Sequence, residues 1–222
     1  NPAVMYAAKK CGISEIISAG GSQAIASLAY IQKVNKIVGP GNDYVARAKK
    51  EVFGDVGIEG MIAGPSEITV VADKNTNLNQ IITSMISQAE HDINSQCILI
   101  TNNLNLIQSI KKYLKYELNK IPRKAIAKKS LLKNGLIIRT HNNKQIIDSI
   151  NEIAPEHLEL NIKNYKKIVN KINNAGSVML GKYSPMSASD YAIGPTHCLP
   201  TLGSAKFSSG LNVDEFYKKT SY

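Results

Sequence analysis

The chain has 222 residues, of which 43% are hydrophobic, and these values predict a globular protein with a buried core. Its apolar runs are short and interrupted, so we expect no membrane-spanning helix and no membrane partner. Three widely spaced cysteines predict neither a disulfide framework nor a CxxC metal site, and they favour a reducing, cytoplasmic setting.

The formal net charge of +10 is a feature shared with many nucleic-acid-binding proteins. Only three of the 27 basic residues are arginine, whereas phosphate and base contacts favour the bidentate guanidinium group. The lysines concentrate where solvated helix faces are expected, at residues 111–120, 124–133 and 163–171. A general compositional bias therefore explains the charge more simply, and we expect no nucleic-acid partner.

The first part of the chain alternates between predicted helices and short strands. The pattern predicts helices at residues 3–11, 22–30 and 43–53, and strands at 13–19 and 36–38. Asn1-Pro2 suits the start of the first helix, and Asn42 suits the cap of the third. Glycine turns at Gly20-Gly21 and Gly39-Pro40-Gly41 separate these elements.

The rest of the chain continues this alternation with clearer strands. Strands are predicted at 68–72, 97–101, 136–140, 157–160 and 177–180, and helices at 77–91, 104–121, 143–153 and 163–174. Strands joined by helices imply parallel sheets, so we predict a doubly wound α/β fold. Ligands in such sheets bind beyond the carboxyl ends of strands, which directs attention to loops that follow or bound strands, at 64–67, 155–157 and 184–197.

The helix predicted at 77–91 ends in the polar stretch Ser87-Gln88-Ala89-Glu90-His91-Asp92. Gln88 and His91 lie three residues apart on the flank of its apolar stripe, so they are neighbours on one helix face. An amide oxygen and an imidazole at that spacing can hold a metal or a polar substrate. The same residues also suit a solvated helix end.

Pro155-Glu156-His157 places a carboxylate beside an imidazole just before a predicted strand. Adjacent strand residues point to opposite faces, so both reach one site only if the backbone is irregular there, as the proline favours. An imidazole takes up a proton near neutral pH, and the carboxylate can orient it or activate water. A purely structural pair remains the alternative.

The last loop adds Asp190 and His197, with Cys198 as a weaker thiol candidate. Three of the four histidines, His91, His157 and His197, therefore occupy candidate positions. Together with Gln88 and Asp190 they offer nitrogen and oxygen ligands, which suit zinc or another divalent ion in an open catalytic site. No GxGxxG fingerprint is present, although a helix start at either glycine turn can bind a phosphate.

Six motifs resemble histidinol dehydrogenases in order and spacing: GGSQAIASLAY, KIVGPGN, AGPSE, SQAEHD, APEHLEL and SASDYAIGPTHCLPT. The resemblance implies zinc bound by Gln88, His91 and Asp190, with Glu156 and His157 as the acid/base pair. It implies that Ser66 and His197 line the histidinol site with Gln88, His91, His157 and Asp190, and that Gln23 and Asn42 contact NAD. The implied reaction oxidises L-histidinol to L-histidine through an aldehyde, with two NAD.

The family architecture implies two incomplete Rossmann-like domains with mainly parallel sheets flanked by helices. Residues 1–65 correspond to a part of the NAD-contacting domain, 66–210 to the domain carrying the zinc and catalytic residues, and 211–222 to the start of a tail. Family members are longer at both ends, have a longer connector after Tyr30, and form homodimers whose tail supplies a further zinc histidine. We therefore expect this chain alone to have weak activity or none.

Two other functions are compatible with the residues. A metal-dependent hydrolase of α/β fold can use the same ligands, since an open zinc site also activates water. An inactive basic binding module is the non-enzymatic alternative, and oxygen and nitrogen ligands also admit manganese or cobalt in place of zinc.

Overall fold

The protein is described by a computed structural model that covers residues 1–60, 64–189, 191 and 193–222. It forms two compact units, Asn1–Met61 and Ile62–Tyr222. The division falls a few residues before the domain boundary predicted at residue 65. None of the described helices combines the length and apolar character needed to cross a membrane.

The first unit consists of three α-helices and a small parallel sheet. Its helices are α1 (Pro2–Lys10), α2 (Gly21–Ala26, continued by a π-helical turn at Ser27–Ile31) and α3 (Asp43–Glu51), and its strands are β1 (Lys36–Ile37) and β2 (Gly57–Ile58). The two strands pair in parallel. As predicted, the side chains of Asn1 and Asn42 cap α1 and α3.

The strand predicted at residues 13–19 is wrong. These residues have no regular secondary structure, and the apolar side chains of Ile13, Ile16 and Ile17 are exposed. A strand needs a neighbour to pair its N–H and C=O groups, and no described strand pairs with this segment.

The most buried charged group of the first unit is Lys49, on α3, which is 2% exposed. Its Nζ donates hydrogen bonds to the backbone carbonyls of Gly39, Glu59 and Gly60. Gly39 follows β1, whereas Glu59 and Gly60 follow β2. The ammonium group therefore joins the two loops that leave the carboxyl ends of the parallel strands.

The second unit is built on a five-stranded parallel sheet of order β5-β4-β3-β6-β7. The strands are β3 (Glu67–Ala72), β4 (Gln96–Thr101), β5 (Gly135–Arg139), β6 (His157–Asn161) and β7 (Ser177–Leu180). The helices are α4 (Leu78–Ala89), α5 (Leu104–Leu118), α6 (Lys124–Asn134), α7 (Asn143–Ile153) and α8 (Met186–Ser189). The predicted α/β fold with mainly parallel sheets is confirmed.

Alternate residues of the central strand enter two different cores, one on each face of the sheet. Val70 of β3 packs with Met85 of α4 on one face, and Val71 packs with Ile150 of α7 on the other. This alternation is the period of two expected of a strand covered by helices on both sides.

The helix predicted at 163–174 is wrong, since this segment forms only two short 3-10 turns, Tyr165–Lys167 and Val169–Lys171. The side chain of Asn151, on α7, accepts from the backbone N–H of Asn173 and Asn174 and donates to the carbonyl of Lys171. These bonds to another element satisfy backbone groups that a continuous helix would use.

Candidate active site

Glu156 and His157 lie where the backbone enters β6, and both are buried. The preceding Ala154 ends α7 in a left-handed conformation with a φ of 50°, and Pro155 follows it. The strand begins only at His157, so Glu156 is free of the regular alternation. The irregular backbone needed to bring both side chains to one place is therefore present.

The peptide groups of Glu67 hold both side chains. Its N–H donates to Oε2 of Glu156 at 2.8 Å, and its carbonyl lies 3.0 Å from Nδ1 of His157. The two side chains themselves approach within 3.4 Å, measured from Nδ1 to Oε2. The first residue of β3 therefore fixes the orientation of the pair at the first residues of β6.

The contact with Glu67 determines which imidazole nitrogen carries the proton. A backbone carbonyl only accepts, so Nδ1 of His157 is the protonated nitrogen in this contact. In the neutral ring Nε2 is then the unprotonated nitrogen. His157 is thus oriented to act as a base through Nε2.

The side chain of Glu67 is itself part of this cluster. The residue is 5% exposed, and Oε1 accepts from the backbone N–H of Leu202 at 3.0 Å. Burial, and to a smaller extent the neighbouring Glu156 carboxylate, raise the pKa of the Glu67 carboxyl. A nearby hydrogen bond from the Gly64 N–H to the Thr201 hydroxyl joins the same two loops.

Ser66 directly precedes β3 and is half-buried. Its carbonyl accepts from the N–H of Gln96, at the start of β4. Ser66 therefore lies at the same edge of the sheet as Glu156 and His157. This is the amino edge of the strands, where the loops at 64–67 and 155–157 lie. The rule that ligands bind at the carboxyl edge did not predict that position.

Gln88 lies in the last turn of α4 and is 3% exposed. Its Oε1 atom has no hydrogen-bond partner among the described residues. Such a group costs free energy unless something else binds it, so this oxygen fits the role of a ligand to a divalent ion. This observation supports the predicted metal site.

The other two predicted metal ligands are less defined. Helix α4 ends at Ala89 rather than at residue 91, so His91 lies in the following turn with an exposed side chain. Its carbonyl accepts from the guanidinium group of Arg123. Asp190 lies outside the described residues, which contain no group of three His, Cys, Asp or Glu side chains placed to hold a metal.

The remaining predicted site residues lie in exposed positions. His197 is in a bend of the last loop, next to Thr196, whose hydroxyl donates to the Leu211 carbonyl. In the first unit, Gln23 is exposed on α2, and the Asn42 side chain accepts from the N–H of Val45. The predicted NAD contact by Asn42 thus competes with its helix-capping bond.

Two buried acidic residues of the second unit were not among the predicted site residues. Glu67 begins β3, and Glu159 lies within β6, two residues after His157. Glu159 accepts from the Ser84 hydroxyl at 2.9 Å and from the Met186 N–H at 2.6 Å, and burial raises the pKa of its carboxyl. The signal that could have found them is a glutamate inside an apolar strand run, where burial is costly without partners.

The fold and this cluster together define an α/β protein with a buried imidazole and carboxylate at the amino edge of a parallel sheet. The family model of histidinol dehydrogenases matches residues 1–222. The chain belongs to the histidinol dehydrogenase family.

Individual relatives agree with this assignment. The chain is 58% identical to the histidinol dehydrogenase of Pelagibacter ubique over 226 residues, which covers 100% of this chain and 53% of that protein. It is 49% identical to the Listeria monocytogenes histidinol dehydrogenase over the same share of each protein. The crystal structure of the Elizabethkingia anophelis histidinol dehydrogenase matches 99% of this chain with a TM-score of 0.95 and 43% identity. The chain spans about half the length of these relatives.

Proposed function

We propose that this chain contributes the catalytic base, the carboxylate and most of the metal ligands of a histidinol dehydrogenase. The reaction is the NAD-dependent oxidation of L-histidinol to L-histidine through L-histidinaldehyde, the last steps of histidine biosynthesis. The observation that carries the proposal is the family match over residues 1–222.

His157 is the group that removes the hydroxyl proton of histidinol. The Glu67 carbonyl lies 3.0 Å from Nδ1, which is therefore the protonated nitrogen, and Nε2 is the nitrogen that accepts the substrate proton. The contact also fixes the plane of the imidazole ring, so the ring loses less conformational entropy when the substrate binds.

Glu156 activates the water that hydrates the aldehyde. Its Oε2 is held by the Glu67 N–H, and no described residue donates to Oε1, which is therefore the oxygen that meets the water. Two adjacent residues thus have separate roles in the two halves of the reaction.

Gln88, His91 and Asp190 would hold zinc, and Gln88, His91, His157, Asp190, Ser66 and His197 would surround the substrate. Bound zinc supplies a positive charge that fixes the amine and imidazole of histidinol. Gln23 and Asn42 would contact NAD, the hydride acceptor. The family also assigns site residues to a partner subunit, so a homodimer is part of the proposal.

The test places this chain in a full-length background. A chimera in which it replaces the matching part of the Pelagibacter ubique enzyme should reduce two NAD per histidinol, and a chelator should abolish the reaction. The His157→Asn chimera controls for background oxidation, and the isolated chain should show weak turnover or none.

Other outcomes would favour other functions. A folded, dimeric, metal-loaded chimera that reduces no NAD would overturn the proposal. Turnover of an ester or amide without NAD would favour a metal-dependent hydrolase. Nucleic-acid binding with a steep salt dependence, unaffected by Glu156→Gln and His157→Asn together, would favour a basic binding module.

A further inference from the structure

Glu159 occupies a position where the sheet otherwise requires an apolar side chain. Its partners in register are Val70 on β3 and Met179 on β7, which are both buried in the core beneath α4. Glu159 itself is only 4% exposed. A carboxylate buried in such a layer lowers the stability of the fold unless hydrogen bonds compensate for its burial.

Those hydrogen bonds connect three different elements. From β6, Glu159 accepts from the Ser84 hydroxyl on α4 through Oε2 and from the Met186 N–H through Oε1. Met186 is the first residue of α8, and α8 packs against both α4 and β6. One carboxylate therefore joins the strand that bears His157, the helix that bears Gln88 and the short helix whose last residue directly precedes Asp190.

The spacing along these elements relates Glu159 to the candidate site. Because α4 joins the parallel strands β3 and β4, it runs back toward their amino ends. From Ser84 to Gln88 is one helical turn, about 6 Å in that direction. From Glu159 to His157 is two strand residues, about 6.6 Å in the same direction and on the same face. The Ser84–Glu159 bond therefore places Gln88 at the level of His157.

A cavity of about 330 Å³ borders Glu159 and Ser84 on the side away from His157, toward Asn161 and Gly181. Water in this cavity can solvate part of the carboxylate, which explains how the charge is tolerated. Each carboxylate oxygen also accepts one hydrogen bond from the protein, from Ser84 or from Met186, so the group is suited to hold neighbouring elements in place.

We propose that Glu159 is a positioning residue, which fixes the amino end of α8 against α4 and thereby holds the helix that leads to Asp190 in the sequence against the helix that bears Gln88. This inference rests on the proposed metal site. Glu159 does not touch the substrate or the metal; it acts through the elements that carry the ligands. Mutation of residues that hydrogen-bond directly to metal ligands typically weakens metal binding by 10- to 100-fold, and Glu159 acts one step further out, so we expect an effect of about tenfold.

The experiment compares Glu159→Met with Glu159→Gln in the 222-residue chain. Methionine suits the apolar layer but accepts no strong hydrogen bond, whereas glutamine keeps an acceptor for the Met186 N–H and a donor for the Ser84 hydroxyl. We expect the Met186 amide to exchange hydrogen about tenfold faster in Glu159→Met, the effect of losing one strong hydrogen bond. In Glu159→Gln the exchange should stay close to that of the parent.

Zinc binding gives the second readout, and it is measured by competition with a chelating dye in chimeras that carry each variant, because the family tail is expected to supply a further zinc histidine. We expect about tenfold weaker zinc binding in Glu159→Met, with a thermal unfolding midpoint no lower than that of the parent, and near-parent zinc binding in Glu159→Gln. A purely structural role would lower the midpoint and leave zinc binding unchanged, so that pattern would overturn the inference.

The two readouts also separate this inference from the proposed function. If the chimera without a Glu159 substitution binds no zinc, the proposed metal site fails, whereas the exchange rates still decide whether Glu159 fixes α8. Equal exchange in the parent and both variants would refute the role of Glu159 even if zinc binds normally.

Discussion

Lys49→Met should destabilise the first unit by about 2–4 kcal/mol. The Lys49 ammonium group makes hydrogen bonds to three backbone carbonyls, and hydrogen bonds to a charged group contribute about 1.5–3 kcal/mol each. The full sum overestimates the loss, because Gly39, Glu59 and Gly60 are half-buried and water can replace part of the lost bonding. Methionine also recovers most of the packing of the lysine stem.

Lys50→Met is the matched control, because Lys50 is the next residue of the same helix and is exposed. Urea unfolding should be followed by hydrogen exchange of peptides from α3 and, separately, from β3, since two units need not unfold together. We expect lower protection in α3 for Lys49→Met and unchanged protection in β3. Equal α3 protection in the two variants would refute the structural role assigned to the Lys49 ammonium group.

Three further predictions concern the second unit. Gln88→Met should raise the free energy of unfolding by about 1 kcal/mol, because it removes a buried oxygen without a described partner. It should also abolish zinc binding. A loss of stability in urea unfolding would contradict the first expectation. The pKa of the Glu67 carboxyl is raised in the folded protein, so its contribution to stability is complete below the unfolded pKa near 4.5 and is lost as the pH rises through the folded pKa. The stability of the parent relative to Glu67→Gln should therefore fall above about pH 4.5, as measured by urea denaturation at several pH values. Glu156→Gln in the chimera should form one NADH per histidinol rather than two, because hydration of the aldehyde is impaired; an unchanged stoichiometry would assign that step to another group.

Most of the second unit could be predicted because its local signals agree with its tertiary environment. The strands at 97–101 and 177–180 and the helix at 143–153 lie within one residue of the predicted bounds. Their apolar runs are bounded by turn residues and face a core on both sides of the sheet, so pattern and packing favour the same structure. Residues 13–19 and 163–174 have apolar patterns as well, but pairing partners and contacts from other elements decide their structure, and a local pattern does not contain that information.

The sequence motifs indicate candidate residues for the site, but they do not indicate how the fold holds those residues. The motifs indicated Glu156, His157 and Gln88, and the structure shows how Glu67 holds the first two and how Gln88 is buried. The role of the Glu67 peptide could not be read from the sequence, because backbone groups have no residue-specific signature. The amino-edge location was missed because the general rule describes ligands at the carboxyl edge.

Departures from local structural rules concentrate around Glu156 and His157, and this argues for a functional site independently of the family match. The left-handed Ala154, the buried carboxyls of Glu67 and Glu159, and the unpartnered oxygen of Gln88 each lower stability. Outside this cluster, the buried polar side chains of the described strands are small and uncharged, and they belong to Thr69, Thr101, Asn161 and Ser177. Folding alone gives no reason for these losses of stability to occur together on neighbouring elements. A site that must orient a base, a carboxylate and metal ligands gives such a reason. The first unit has two comparable features: the left-handed Lys33, and buried Lys49, which holds the loop that leads to Asn42.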